Sequence, residues 1–148
     1  MGRIRGKLHN EFDMPDLGPL TSFLRLEIQR NCNQRNLHLS QKRYIAKIIL
    51  QQGLECGNPA LTPADPHVRL EKSIPEFAAI PENKGKYQSA VGSLMYAMLC
   101  SWPDISYTMA KICQYITNPN ITHFTALKRI LRYLARTLIA VYATGYTH

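Results

Sequence analysis

Between Tyr87 and Leu134 apolar side chains recur at helical spacing, and this period constrains the fold more than any other feature of the chain. Val91, Leu94, Met95, Met98 and Leu99 stand at i, i+3, i+4, i+7 and i+8, one face of a helix. Pro103 and Asp104 open a second helix with Ile105, Met109, Ile112, Cys113 and Ile116 on its apolar side. Proline is tolerated in a first turn, and a carboxylate suits the positive helix end. After an Asn118-Pro119-Asn120 turn, a third helix turns Phe124, Leu127, Leu131 and Leu134 inward. Its other side carries Lys128, Arg132 and Arg136 as a basic stripe at four-residue steps. The tail from Thr137 to Tyr146 reads as the start of a strand with no partner in the chain.

The N-terminal part follows other rules. Ile4, Leu8 and Phe12 predict a short helix that Pro15 and Gly18 end. Leu24, Leu26 and Ile28 alternate with Arg25, Glu27 and Gln29, the period of a half-buried strand. A polar turn from Asn31 to Asn36 leads to Leu37-His38-Leu39, the return strand of a hairpin. Ser40 is placed to cap the next helix, whose inner face is Ile45, Ile48 and Ile49 and which Gly53 stops. In residues 54–86, Pro59, Pro63, Pro66, Pro75 and Pro81 deny any long helix. So long an irregular connection usually marks a mobile or partner-contacting loop. The predicted class is α+β, mainly α: an N-terminal helix and a β-hairpin, then a helical bundle interrupted by an irregular loop.

Charge is distributed unevenly. The chain of 148 residues carries a formal net charge of +8. Residues 1–53 hold nine Lys and Arg against four acids, 54–86 hold four against five, and 87–148 hold five against one. Basic flanks around a neutral middle suit a polyanion, most simply nucleic acid. No stretch approaches the ~18 apolar residues of a membrane span, and no export signal is visible, so an intracellular protein without a membrane partner is expected. The four cysteines form no Cys-x-x-Cys pair, and reduced, buried thiols are expected rather than ligands.

Nothing in the pattern points to catalysis. Polymerase chemistry needs two metal ions held by closely placed carboxylates, and no two of the ten acids are adjacent. Asp13 and Asp16 flank a proline in a turn, where aspartate serves backbone bonding. Ser93 lacks the second glycine of a nucleophile elbow, and the five histidines fall at no metal-ligand spacing. Neither a cofactor nor a metal is expected.

Two stretches resemble a known family. The run Y-Q-S-A-V-G-S-L-M-Y-A-M-L-C-S-W-P-D-I-S-Y-T-M-A-K from Tyr87, continued by H-F-T-A-L-K-R-I-L-R-Y-L to Leu134, is similar to copia-type LTR retrotransposon polyproteins between polymerase palm and RNase H. F-D-M-P-D-L-G-P-L-T-S-F-L, Phe12 to Leu24, resembles the same family just after its catalytic Tyr-Val-Asp-Asp loop. That loop would then lie ahead of Met1. The resemblance spans residues 11–140 and implies a primer-positioning hairpin at Phe23–Leu39. It implies a thumb over the duplex at Ser40–Gly53 and Ser89–Tyr115. In its terms, residues 1–53 are the end of the palm, the hairpin and the first thumb helix. Residues 54–86 are the loop, 87–140 the thumb and connection segment, and 141–148 a tail. The implied partners are a nucleic-acid duplex, held weakly, and the palm and RNase H domains. Candidate phosphate contacts are Arg25, Lys42, Arg43, Lys47, Lys128, Arg132 and Arg136. One departure stands out: the family's F-L-G-I-E reads Phe23-Leu24-Arg25-Leu26-Glu27 here. A strand glycine permits close backbone approach, and Arg25 fills that space.

A second, shorter resemblance competes. Arg129-Ile130-Leu131-Arg132 matches the R-x-L-R pattern of oomycete effectors that enter host plant cells. It implies a secreted protein acting on host plant proteins to modulate immunity or cell death. Such effectors carry the motif shortly after a signal peptide and before an acidic segment. Here it lies within a predicted helix with no acid after it.

Overall fold

The computed structural model describes residues 4, 6, 8, 11–13, 18–53, 58–72 and 81–143, with the backbone alone for 81–82 and 140–143. Three antiparallel strands, β1 (Ser22–Phe23), β2 (Leu26–Asn31) and β3 (Asn36–Ser40), lie in the order β1-β2-β3. Four helices follow: α1 (Lys42–Gln51), α2 (Pro81–Cys100), α3 (Ser106–Cys113) and α4 (Ile121–Ala143), with a 3₁₀ turn at Pro103–Ile105. The α+β, mainly helical class is therefore present. Ile4, Gly6, Leu8 and Glu11 have helical backbone, and the Phe12 amide donates to the Leu8 carbonyl at 2.9 Å. The expected N-terminal helix thus agrees with the residues described there, and Pro15 falls outside them.

The hairpin forms, and a second, tighter one precedes it. In the β2–β3 pair Glu27 faces Ser40 and Asn31 faces Asn36. Asn31 Oδ1 accepts the amides of Asn33 and Gln34 at 3.1 Å each, closing the connecting turn. Leu26 and Ile28 are half-buried, but so is Glu27 between them, and Leu24 is 66% exposed, so the expected alternation does not hold. For Leu24 the reason is that Phe23 pairs with Leu26, so Leu24 and Arg25 are the two loop residues between β1 and β2. Both have positive φ, 49° and 63°, which a two-residue hairpin loop of the right twist requires. Position 25 is a turn position rather than a strand position.

Ser40 is not the cap of α1. It is paired in β3, and Gln41 stands at the cap without a side-chain bond. Glu27 of β2 takes the role instead, its Oε1 accepting the Arg43 amide at 2.9 Å. A carboxylate at this helix end satisfies an orphan donor and meets the positive end of the helix dipole. Ile45, Ile48 and Ile49 are buried as predicted, and Gly53 ends the turn with φ 63°.

The core lies where the four helices converge. Ile45, Tyr87, Val91, Leu94, Ile105, Met109, Ile112, Ile130, Leu131 and Leu134 form one buried cluster. Each such aliphatic side chain contributes about 1.5–3 kcal/mol on burial. Tyr87 ties α2 to α3 by donating to the Ile112 carbonyl at 2.9 Å, and its ring meets Phe124 of α4 edge-on at 5.1 Å. Asn120 caps α4, its Oδ1 accepting the amides of Thr122 and His123 at 3.0 and 3.2 Å.

Several expectations fail in the helical part. Helix α2 begins at Pro81, six residues before Tyr87, because proline fits a first turn. Its buried face is Tyr87, Ala90, Val91, Leu94 and Ala97, whereas Met95 is exposed and Leu99 is 76% exposed. The small alanines let neighbouring helices approach, which rotates the face away from the large residues. Helix α4 runs on through Thr137 to Ala143 where a strand was expected, with Leu138 still buried against the core. Cys32 and Cys100 are exposed and Cys113 half-buried, all three as free thiols, so burial does not explain them as a set. Cys56 lies outside the described residues.

Candidate nucleic-acid interface

The first basic group gathers at the hairpin and α1. The β1–β2 loop docks on the helices: the Tyr96 hydroxyl of α2 donates to the Leu24 carbonyl, and Arg25 sits 5.5 Å over the Tyr44 ring of α1. Tyr44 in turn meets the Tyr96 ring edge-on at 5.3 Å and donates to the Ser93 carbonyl at 3.1 Å. Burial and its hydrogen-bonded neighbour Cys100 hold the Tyr96 phenol above its ordinary range, so it stays a donor. This tyrosine pair fixes where Arg25 stands relative to α1.

On α1, burial of Ile45, Ile48 and Ile49 turns Arg43 and Lys47 outward, one helical turn apart. The Arg43 side chain is 88% exposed, and its Nε lies 3.9 Å from Glu27 Oε2. At that distance and exposure the pair is weak, which leaves the guanidinium available to a phosphate. Lys42 is half-buried and already engaged within the fold. Arg25 thus stands against the first turn of α1, and Arg43 and Lys47 are exposed on the same helix.

The stripe on α4 does not hold as one surface. Lys128 and Arg136 are exposed, but Arg132 between them is half-buried with its Nε enclosed and unpartnered. Arg132 lines a cleft of about 1030 Å³ walled by residues 62–71, α3 and α4. Arg69 and Lys111 line it too, and sequence reasoning missed both. Arg69 belongs to a stretch whose charges cancel, and Lys111 stands alone on its helix. Only the packing of loop on helices brings them near Arg132.

Arg129 holds the cleft's loop wall in place. Its Nε donates to the Thr62 carbonyl at 3.2 Å, one terminal nitrogen to Asp65 Oδ2 at 2.9 Å and the other to Thr62 Oγ1 at 3.2 Å. Tyr115 adds a bond to the Leu70 carbonyl at 2.7 Å, with Leu70 packed on the core. The described part of the proline-containing stretch is irregular as expected, yet it is pinned to α3 and α4. At the base of this wall His123 is fully buried and stacked on Tyr115 at 4.1 Å. Its Nδ1 accepts the Asn120 amide at 2.9 Å. Burial lowers its proton affinity, opposed by the Glu71 backbone.

The R-x-L-R tetrapeptide is absorbed by this packing. Arg129 is committed to Thr62 and Asp65, and Ile130 and Leu131 are fully buried. Among the described residues no group of three His, Cys, Asp or Glu could hold a metal ion, and no helix is long and apolar enough to cross a membrane.

No family model and no solved structure matches the chain. Curated relatives do. It is 39% identical over 140 residues, 93% of its length, to the retrovirus-related Pol polyprotein from transposon TNT 1-94 of Nicotiana tabacum. It is 36% identical over 130 residues, 88% of its length, to the retrovirus-related Pol polyprotein from transposon RE1 of Arabidopsis thaliana. A shorter similarity, 45% over 51 residues, joins it to secreted RxLR effector protein 161 of Plasmopara viticola, covering 34% of the chain and 36% of that protein. The chain belongs with the copia-type retrotransposon Pol polyproteins, and so is related to a polymerase family. It corresponds to one segment of them, spanning 10% of the TNT 1-94 polyprotein and 8% of the RE1 polyprotein.

Proposed function

We propose that this segment cradles a nucleic-acid duplex as the hairpin and thumb of a retrotransposon reverse transcriptase, without polymerase chemistry of its own. Binding is weak and indifferent to sequence. The observation that supports it most is that Arg25 is exposed and held over Tyr44 of α1, the helix that also exposes Arg43 and Lys47. Cations so placed contact phosphates, which position a duplex and carry no sequence information. Lys128 and Arg136 on α4 add positive potential rather than a built contact. The palm and RNase H parts of such a polymerase are the natural partners of the exposed apolar residues Phe23, Leu24 and Leu99.

The absence of chemistry rests on the acids. No two of them are adjacent, and no other residue type replaces the carboxylates that hold paired metal ions. A primer-extension assay on the purified chain with Mg²⁺ or Mn²⁺ tests this. The expected result is no template-dependent nucleotide addition above a buffer blank, and addition that survives repurification would refute it. Reading the chain as a host-entering effector gains nothing from the fold, because Arg129, Ile130 and Leu131 are structural.

A further inference from the structure

The cleft between residues 62–71 and helices α3 and α4 is lined by none of Arg25, Arg43 or Lys47, and the duplex reading makes no use of it. Two guanidiniums on α4 face it, three residues apart, and they differ in kind. Arg129 spends its nitrogens on Thr62 and Asp65. Arg132 has an enclosed Nε with no hydrogen-bond partner, and no carboxylate pairs with it among the described residues. Asp104, an acid of the same cleft, is engaged by the Tyr133 hydroxyl at 2.5 Å instead. A partly desolvated guanidinium with an unpartnered nitrogen is costly, and a phosphate oxygen is the acceptor that a guanidinium binds best. Tyr107 lines the same cleft, 68% exposed, with the Lys111 ammonium over one side of its ring at 5.7 Å from the centroid. An exposed aromatic face next to cations, along an open groove, is what an unpaired base with its backbone requires. A duplex keeps its bases stacked inside and has no use for such a ring.

We propose that this cleft binds single-stranded nucleic acid, with a phosphate held by Arg132 and Lys111 and a base stacked on Tyr107. The proposal rests on reading the segment as part of a polymerase that handles nucleic acid, and it assigns the unpaired strand a place separate from the duplex. An acidic peptide would satisfy Arg132 but leave the Tyr107 face unused, so the strand is the better fit.

Fluorescence anisotropy with a labelled single strand of about eight nucleotides, set beside a blunt duplex, tests the proposal. Tyr107→Ala and Lys111→Gln alter exposed side chains and keep the fold, whereas Arg132→Gln is interpreted only if its thermal melt matches the parent. Tyr107→Ala should weaken single-strand binding about ten-fold and leave duplex binding within about two-fold. The Lys42, Arg43 and Lys47 triple alanine variant should do the reverse. A parent chain that binds the single strand and no duplex would overturn the proposed function and leave the cleft standing. A parent chain that binds duplex and no single strand overturns the cleft proposal and leaves the duplex reading intact. Equal losses on both probes, no effect of Tyr107→Ala, or displacement by oligoglutamate as effective as by unlabelled strand would each overturn the cleft proposal as well.

Discussion

Arg25 links backbone conformation in the β1–β2 loop to the proposed duplex contact. With φ 63° it occupies the left-handed region in the β1–β2 loop, beside Leu24 at 49°. That conformation costs a side-chain-bearing residue about 1–2 kcal/mol relative to glycine. The contact with Tyr44 returns about 0.5–1 kcal/mol. Arg25→Gly should therefore raise unfolding stability by about 0.5–1 kcal/mol in a urea titration, and should weaken duplex binding as a phosphate contact is lost. A stability loss would mean that the Arg25–Tyr44 contact outweighs the strain.

His123 is the second residue with a measurable signature. Burial depresses its proton affinity below the ordinary 6.5, and protonation at Nδ1 would also break the bond from the Asn120 amide. The unfolded chain therefore binds more protons than the folded chain as the pH falls below 6.5, and stability falls with it. Above that value the contribution is complete. The melting temperature should drop between pH 7 and pH 5, and His123→Gln should flatten that drop while lowering stability at pH 7. An equally steep drop in the variant would assign the pH dependence to other groups.

At the scale of elements, the loop wall is the test case. Arg129 is 27% and Asp65 31% exposed, and the guanidinium also serves both oxygens of Thr62. Arg129→Ala leaves the half-buried Asp65 carboxylate without its partner while water replaces the bonds to exposed Thr62, and should cost about 1 kcal/mol, read as a lower denaturation midpoint with residues 62–70 opening first in hydrogen exchange. If stability is unchanged, Arg129 is surface charge and the loop is held by Leu70 and Tyr115 alone. The same elements show what the amino-acid pattern could convey. Period and punctuation located α1, α3, α4 and the hairpin, because Ile45, Met109 and Leu127 keep helical spacing and Gly53 and Asn120 end or begin helices as their chemistry dictates. The face of α2 was misread because a search for large residues passes over Ala90 and Ala97. The cap of α1 was misread because Glu27 reaches it from another strand, a contact that local spacing does not encode. The cleft was invisible for a similar reason, since Arg69, Lys111 and Arg132 are 21 or more residues apart in the chain.

For the molecule as a whole, four helices share one core while the sheet stands at its side with Leu37 and Leu39 exposed. The sheet is tied in through Glu27 at the start of α1 and through Leu24 and Arg25 at the Tyr44–Tyr96 pair. Charge follows that plan: exposed cations on the hairpin and α1, and a second set, Arg69, Lys111 and Arg132, around the cleft. The central claim is that the first set grips a phosphate backbone, and the dependence of duplex affinity on salt tests it most directly. Each phosphate contact contributes about −0.9 to the slope of log affinity against log salt. The parent chain should give a slope of about −3 or steeper, the same on two unrelated duplexes. The Lys42, Arg43 and Lys47 triple alanine variant should flatten it by about two units. An affinity that is flat between low and physiological salt, or a triple variant with the parent's slope, would contradict the account.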